Sequence, residues 1–298
     1  MTALGVRLRS VGDLPVEPGL TEMARRAEEL GAASLWFSDH LLMLRRFDSV
    51  YPFAPDGVAP WPPETPWWEA MTCCAFAAAA TTRCRIGTSV LVLPQRNPLE
   101  LAKTAATLDR LSGGRLALGV GAGWLVEEIE ALGFDPRGRG RRLDEGIEAL
   151  RRCWTGAPEP FAGEQIVLRD GLLFEPRPER PEGPPILVGG MGARSLRRAA
   201  EAADGWMAFT REDQFDGAAL ARARERLLEL RARGSRADGP FELLLRISPA
   251  PGAGDDALPA LVAEAAQVGF DEVIIDPDFT DDAAAMRLIE RSQDATTA

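Results

Sequence analysis

The sequence contains a single histidine, His40, which follows Asp39 at the end of the apolar run SLWFS (34–38). An imidazole with an ordinary pKa of about 6.5 gives or takes a proton close to neutral pH, which suits general acid–base catalysis. If the strand pattern continues, the side chains of Asp39 and His40 point to opposite faces, so a hydrogen bond between them is not expected. We predict that His40 is catalytic; the alternative is a partly buried residue that satisfies local backbone groups.

Several glycines lie at the ends of two further apolar runs, in GVGAGW (119–124) and GGMGARS (189–195). A glycine-rich turn that opens a helix offers free backbone N–H groups and the positive end of the helix dipole, which together suit a phosphate. The same glycines also fit a tight loop that needs a positive φ for geometry alone. GGMGARS is the stronger candidate, because GVGAGW fits the dinucleotide fingerprint G-x-G-x-x-G only in part.

Side chains that usually hold a metal ion are sparse. The four cysteines, Cys73, Cys74, Cys84 and Cys153, show no C-x-x-C spacing, and such cysteines more often act as small core residues. With one histidine and no H-x-H pair, a metal-dependent barrel hydrolase lacks ligands. We therefore expect no metal site.

Eight short apolar runs rich in β-forming residues alternate with segments of helical period. The runs are LGVRL (4–8), SLWFS (34–38), IGTSVLVL (86–93), LALGV (116–120), PILVG (185–189), GWMAF (205–209), ELLLRI (242–247) and EVIID (272–276). Mostly apolar strands that alternate with helices are typical of a buried parallel sheet. The pattern predicts an α/β fold, a (β/α)8 TIM barrel forming one domain over residues 1–298, with an open doubly wound sheet as the alternative.

Two stretches interrupt this alternation. Residues 41–66 are rich in proline and aromatic residues, and residues 156–184 contain FAGEQIVLRDGLLFEP, which is typical of a hairpin. Both are predicted to be insertions, after strand 2 and before strand 5. The aromatic residues of the first either form an apolar lid over a site or pack the insertion on the barrel. Barrel active sites lie at the carboxyl ends of the strands, where His40 and both glycine stretches fall.

Composition narrows the possible partners. The formal net charge is −11 and the basic residues form no long stripe, so nucleic-acid binding is not expected. The longest apolar stretch, at 70–80, is too short to cross a bilayer, and the N-terminal residues lack the pattern of a secretory signal. We expect a cytoplasmic protein that acts on a small molecule, away from membranes.

Four stretches taken together resemble the bacterial luciferase-like superfamily, and within it the coenzyme F420-dependent oxidoreductases. They are ASLWFSDHL (33–41), RIGTSVLVLPQRNPLELAKTAATLDRLSGGRLALGVGAGW (85–124), RRLDEGIEALRRCW (141–154) and PPILVGGMGARSLRRAAEAADGW (184–206). The resemblance covers nearly the whole chain, and weakens across 41–66 and after about residue 210. It implies a (β/α)8 barrel with an extended insertion, the fold that the element count predicts independently.

The resemblance also implies roles for individual residues. Ser89-Val90 matches a bulge with a non-proline cis peptide that backs the deazaflavin ring, and the loop 189–192 matches the one that holds the cofactor phosphate. Asp39 and His40 match an Asp-His pair at the active-site mouth of sugar-phosphate and alcohol dehydrogenases of the group. The implied cofactor-binding residues are Asp39, Ser89, Val90, Ala122, Gly123, Gly189, Gly190, Met191 and Gly192.

One position departs from the resembled group. Trp124 stands where the glucose-6-phosphate dehydrogenase members carry an acidic residue that moves a proton. A sugar phosphate is therefore not the expected substrate. Trp124 and the aromatic insertion favour a flatter, more apolar one, with aromatic packing at the barrel mouth as the competing explanation.

The resemblance leads to two enzymatic hypotheses. The first is an F420-dependent oxidoreductase that transfers a hydride between the deazaflavin C5 and a small organic substrate. The second is an FMN-dependent monooxygenase that uses O₂ and reduced FMN supplied by a partner flavin reductase. A binding protein that stores or senses a flavin-type cofactor is a third hypothesis. A homodimer is one candidate assembly, and the sequence does not determine the oligomeric state.

Overall fold

The computed structural model describes residues 2–250 and 257–296. Within these residues, eight strands form a closed parallel barrel in the order β1-β10-β9-β8-β7-β4-β3-β2, with β5 and β6 apart as a hairpin. The barrel closes because β1 pairs with β10 on one side and with β2 on the other. The predicted (β/α)8 barrel is confirmed, and the open-sheet alternative is wrong because such a sheet would leave β1 or another strand as an edge.

The eight apolar runs of the sequence all become barrel strands. The strands are β1 Ala3–Arg7, β2 Ser34–Phe37, β3 Arg85–Val92, β4 Leu116–Gly121, β5 Phe161–Ala162, β6 Val167–Leu168, β7 Ile186–Gly189, β8 Gly205–Arg211, β9 Glu242–Ser248 and β10 Glu272–Ile275. Residues 1, 251–256 and 297–298 lie outside the described residues. The expectation of one domain over residues 1–298 therefore stays a prediction.

Helices surround the barrel, and their ends follow local sequence signals. The helices are α1 Leu20–Glu29, α2 Ala70–Ala80, α3 Pro98–Ser112, α4 Val126–Ala131, α5 Arg139–Trp154, α6 Ala193–Ala202, α7 Gly217–Ala232, α8 Leu258–Val268 and α9 Asp282–Ala295, and short helical turns lie at Pro15–Gly19, Leu93–Gln95, Pro136–Gly138 and Glu212–Gln214. In α3, the Asn97 side chain accepts the backbone N–H of Leu99 at 3.0 Å, and Pro98 begins the helix. Gly113 ends it at φ 69°, a conformation that glycine adopts without steric cost.

Both predicted insertions are present. Residues 161–162 pair with 167–168 as an antiparallel hairpin before β7, and residues 41–66 connect β2 to α2 largely without regular structure. The apolar stretch at 70–80 is helix α2. In the described part of the chain, no helix combines the length and apolarity needed to cross a bilayer.

Side chains fill the barrel interior beneath the carboxyl ends of the strands. The buried interior cluster comprises Trp36, Ala117, Leu187, Met207, Leu244 and Ile274, with Val90 packed against it. Gly87 makes room for the indole, since a Cβ there would lie 2.3 Å from Cζ3 of Trp36. This packed interior leaves the space for a ligand at the carboxyl ends of the strands.

Candidate active site

A cavity of about 800 Å³ opens at the carboxyl ends of the barrel strands. It brings together most of the residues singled out in the sequence: Asp39, His40, Ser89, Val90, Ala122, Gly123, Gly189 and Gly190 all line it. Met191 and Gly192 do not line it, but follow Gly190 directly; Met191 is 38% exposed and Gly192 is the N-cap of α6. The volume of the cavity suits a cofactor or a drug-sized molecule.

The third barrel strand carries the predicted bulge. The pairing of β3 with β4 shifts register between Thr88 and Leu91, and the Ser89-Val90 peptide is cis, which confirms the prediction. The Val90 side chain fits a notch between two glycines, because a Cβ on Gly121 or Gly189 would lie 2.8 or 2.7 Å from its methyl groups. Glycine at these two strand ends therefore accommodates the bulge, in addition to any role in binding a ligand.

The glycine stretch after β7 leads into α6. Gly190 has φ 115°, where other residues are strained, and its carbonyl accepts the indole N–H of Trp206 at 2.8 Å. Gly192 has an ordinary φ of −75°, and a Cβ there would meet no atom within 4 Å. The N-terminal N–H groups of α6 thus begin beside open space, an arrangement that suits an anion.

His40 is held by a carboxylate from another element. Its Nδ1 lies 2.7 Å from Oε2 of Glu128 in α4, and the two side chains are only 7% and 1% exposed. The other oxygen of Glu128 accepts the backbone N–H of Leu41 at 2.6 Å and the amide of Gln95 at 3.3 Å. Because a carboxylate only accepts, Nδ1 carries the proton and Nε2 is the ring nitrogen left for a ligand.

Aromatic rings enclose His40 on the cavity side. The imidazole centroid lies 4.6 Å from that of Trp67, 5.8 Å from Trp124 and 6.3 Å from Trp61. Tyr51 lies 5.1 Å from both Trp61 and Trp124, and 5.4 Å from Phe53. We call Tyr51, Phe53, Trp61, Trp67 and Trp124 the aromatic cluster. Its three members from the insertion line the cavity, and the insertion also packs on the barrel, because the Phe53 ring lies 4.5 Å from that of Phe209 in β8.

The first insertion is fastened to α4 and to the loop after β1. Glu127 accepts the backbone N–H of Asp48 at 2.7 Å and the Ser49 hydroxyl at 2.7 Å. These bonds outweigh the effect of burial and lower the pKa of Glu127. On the other side, Trp68 donates its backbone N–H to Ser10 at 2.9 Å. The aromatic cluster is thus held at both ends of its segment.

Asp39 lies at the cavity wall, but its carboxylate is fully engaged. One oxygen accepts from Arg96 at 2.6 Å and the other from the backbone N–H of Val92 at 2.9 Å, and no hydrogen bond joins it to His40 among the described residues, as expected. Burial raises the pKa of Asp39, against the opposing effect of Arg96. This geometry indicates that Asp39 fixes the end of β3, beside the bulge.

A second set of charged groups, which the sequence did not single out, lies at the ends of β1, β9 and β10. Arg246 donates to Asp276 through Nε at 3.0 Å and Nη2 at 2.6 Å, and Nε of Arg7 lies 3.0 Å from the same carboxylate as an ion pair. Burial would raise the pKa of Asp276, but the two arginines outweigh it and lower that pKa. Arg246 also donates to the Ser89 carbonyl at 2.9 Å, so this cluster supports the cis peptide.

The cysteines are buried core residues, as predicted. Burial raises the pKa of Cys73 and Cys84 to about 12 and that of Cys153 to about 11, so these thiols stay protonated at neutral pH. Within residues 2–250 and 257–296, no three His, Cys, Asp or Glu side chains are placed to hold a metal ion.

Sequence reasoning missed Glu128, although a signal for it was present. Leu125, Glu128, Ile129 and Leu132 have the i, i+3, i+4, i+7 spacing of a buried helix face, with a carboxylate at one apolar position. A charged residue on such a face is almost never fully buried unless it is paired. The paired group is His40, which no local pattern identifies.

Comparison with known proteins extends the resemblance seen in the sequence. Residues 17–296 match the model of the luciferase-like monooxygenase family. An uncharacterised protein of Mycobacterium tuberculosis is 40% identical over 185 residues, 62% of this chain and 63% of the relative. An F420-dependent glucose-6-phosphate dehydrogenase of Amycolatopsis mediterranei is 37% identical over 192 residues, 63% of this chain and 52% of the relative. The matched part of the chain thus spans about half to two thirds of these relatives.

Two solved structures share the fold. An F420-dependent secondary alcohol dehydrogenase in complex with an F420-acetone adduct superposes with a TM-score of 0.75 at 18% identity, over 99% of each chain. The oxygenating constituent of 3,6-diketocamphane monooxygenase of Pseudomonas putida, in complex with FMN, superposes with a TM-score of 0.72 at 16% identity, over 99% of this chain and 98% of the other. The family model covers nearly the whole described chain, so the protein belongs to the luciferase-like monooxygenase family.

Proposed function

We propose that the protein is an F420-dependent oxidoreductase that transfers a hydride between the deazaflavin C5 and a small organic substrate. The observation that carries the proposal is the placement of His40, which lines the same cavity as the Ser89-Val90 bulge and the glycine stretch after β7. The 37% identical relative named as F420-dependent supports this cofactor.

The residues present fit a deazaflavin or flavin. Val90 offers an apolar surface at the cavity wall, Gly121 and Gly189 keep the adjoining strand ends free of side chains, and open space lies at Gly192 beside the α6 N-terminus. Val90, Ala122 and Gly123 would contact the ring and its side chain, and Gly189, Gly190, Met191 and Gly192 would hold the phosphate. When bound, the deazaflavin would supply the atom that accepts or gives the hydride.

The protein's own groups would manage the proton that accompanies hydride transfer. Nε2 of His40 takes the proton of an alcohol substrate, or gives one to a carbonyl oxygen. Glu128 keeps the proton of Nδ1 in place and stabilises the imidazolium that forms when Nε2 is protonated. The aromatic cluster excludes water from this side of the cavity, which strengthens the electrostatic interactions within it.

The alternative is an FMN-dependent monooxygenase that receives reduced FMN from a partner flavin reductase and uses O₂. The shared fold of the FMN-bound camphane monooxygenase supports it, and the same strand ends would hold either ring. For both functions we propose a small-molecule substrate, and a homodimer stays a prediction.

Titration of the purified protein with F420 and with FMN, each oxidised and reduced, tests the choice. F420 is expected to bind with a micromolar or smaller Kd and at least tenfold more tightly than FMN. Tighter binding of reduced FMN would favour the monooxygenase. Binding of neither cofactor would overturn both functions, and tight binding without turnover of any substrate would favour a cofactor-binding protein.

A further inference from the structure

The cavity wall at the ends of β1, β9 and β10 carries more positive than negative charge. Asp276 is a single carboxylate shared by Arg7 and Arg246, and the three side chains are 4%, 12% and 15% exposed respectively. Among the residues that the structure describes, the other charged side chains of this rim form separate pairs, Arg9 with Asp278 and Arg211 with Asp213. The shared cluster therefore keeps one unbalanced positive charge in a protein whose formal net charge is −11.

Arg7 is the less satisfied of the two arginines. Arg246 makes three hydrogen bonds to Asp276 and one to the Ser89 carbonyl. The Nε of Arg7, in contrast, only lies close to Asp276, and its Nη1 makes one long bond to the Ser38 hydroxyl at 3.3 Å. Burial lowers the pKa of Arg7 to about 10, so it stays charged at neutral pH. A buried cation without its own counterion is costly, and an anionic ligand would relieve that cost.

A tyrosine lines the same cavity as the two arginines. Tyr51, the only tyrosine of the sequence, lines the cavity, and its hydroxyl makes no hydrogen bond within the described residues. Burial raises the pKa of Tyr51, and the charges of Arg246 and Arg7 oppose that rise. The ring of Tyr51 belongs to the aromatic cluster, and the residue lines the same cavity as Arg7 and Arg246.

We propose that Arg7 and Tyr51 bind a carboxylate group of the substrate, whose apolar body contacts the aromatic cluster. Resting on the proposed oxidoreductase function, this names the substrate class as amphipathic organic acids. Ser38, which lies 3.3 Å from Nη1 of both Arg7 and Arg246, precedes His40 by two residues. A small molecule held at Arg7 therefore remains within the cavity that His40 lines.

Calorimetric titration with ligand pairs of equal shape tests the proposal. Benzoate and benzamide form one pair, and 3-phenylpropanoate and 3-phenylpropanamide the other; each is titrated into protein alone and into protein saturated with F420. In at least one pair the carboxylate is expected to bind tenfold or more tightly than the amide. Arg7→Met should reduce that preference to threefold or less, and Arg7→Lys should keep most of it because the charge remains.

Two further variants serve as controls and as independent readouts. Arg25→Met removes an exposed arginine of α1 that is paired with Glu22, and it should leave the preference unchanged. Tyr51→Phe removes one hydroxyl from an irregular segment and should weaken carboxylate binding several-fold while leaving amide binding unchanged, which keeps the proposal testable if Arg7→Met does not fold.

Several outcomes would overturn the proposal. They are no binding of any carboxylate at millimolar concentration, equal binding of carboxylate and amide, and an unchanged preference in Arg7→Met. If Arg7→Met weakened the binding of reduced F420 tenfold but kept the preference for carboxylate over amide, Arg7 would bind the cofactor and not the substrate. Because the titrations on protein alone do not involve F420, failure of F420 binding would refute the proposed function without deciding this site.

Discussion

His40 owes its orientation to a residue 88 positions later in the chain. Glu128 binds the imidazole through one oxygen and the backbone of Leu41 through the other, so ring and chain are fixed by the same carboxylate. In its neutral form the ring therefore carries its proton on Nδ1 and presents Nε2 as an acceptor. That is the form that can take a proton from an alcohol substrate.

Because His40 is the only histidine, NMR of protein labelled with ¹⁵N-histidine reports on this ring alone. The neutral ring is expected to show a protonated Nδ1 and an unprotonated Nε2. Glu128→Gln should disturb this preference, since an amide offers both a donor and an acceptor, and should lower kcat by about tenfold or more. Glu127→Gln, which alters the neighbouring carboxylate that binds Ser49 instead, is the matched control. An unchanged spectrum in Glu128→Gln would refute the positioning role.

Replacing the ring itself tests its role in proton transfer. His40→Ala is expected to lower kcat by roughly 10² to 10⁴ while the cofactor Kd stays within about threefold, as for loss of a general acid or base. Steady-state kinetics and cofactor titration on the same preparation provide both values. Wild-type turnover would contradict the assignment, and a loss confined to cofactor affinity would move His40 to the binding shell.

At the scale of elements, the start of α6 can be tested with a substitution that the backbone tolerates. Gly190 is unsuitable because of its φ of 115°, whereas Gly192 has an ordinary backbone conformation and space for a side chain. Gly192→Asp and Gly192→Asn both provide a helix cap, but only the former adds a charge beside the predicted phosphate. Titration with F420 should show at least tenfold weaker binding to Gly192→Asp than to Gly192→Asn. Equal affinities would argue against a phosphate at this helix.

Another element-level contact joins α1 to the turn before β3. Glu28 accepts the backbone N–H groups of Thr82 at 3.1 Å, Arg83 at 2.7 Å and Cys84 at 2.8 Å. Burial would raise the pKa of Glu28, but these bonds outweigh it and lower that pKa to about 2. The folded-state pKa lies below the unfolded value, so the ionised side chain stabilises the fold above about pH 4.5, and this contribution is lost as the pH falls towards 2.

Glu28→Gln is therefore expected to lower the free energy of unfolding at pH 7 by about 2 kcal/mol. The difference in the free energy of unfolding between wild type and variant should become smaller as the pH falls from 4.5 to 2, because the wild-type carboxylate becomes protonated. Urea unfolding across this pH range measures both effects, and Glu29→Gln, at an exposed neighbouring position, should change little. A difference in the free energy of unfolding that does not change with pH would contradict the proposed link between Glu28 ionisation and stability.

At the scale of the whole molecule, the barrel was predictable because its signals are local. Each strand is a short apolar run between helical patterns, and α3 has its cap, its proline and its terminal glycine in sequence order. The cis peptide at Ser89-Val90 followed from the family resemblance, and no residue pattern by itself indicated it.

The pairings that shape the site were not predictable in the same way. The bond from His40 to Glu128 and the sharing of Asp276 by Arg7 and Arg246 join residues far apart in sequence. They arise because barrel closure brings the ends of β1, β9 and β10 together and sets α4 against the segment after β2. A single sequence contains each partner but no signal of their contact.

Transfer of label from reduced F420 tests the central claim most directly. Protein is incubated anaerobically with F420 carrying deuterium at the reduced C5, and with carbonyl compounds that also bear a carboxylate, or lack one. The account predicts deuterium at the carbinol carbon of a product for wild type, with transfer slowed by roughly 10² or more in His40→Ala. Absence of label from every product would contradict it, and oxygenated products formed in a separate aerobic incubation with reduced FMN would favour the monooxygenase instead.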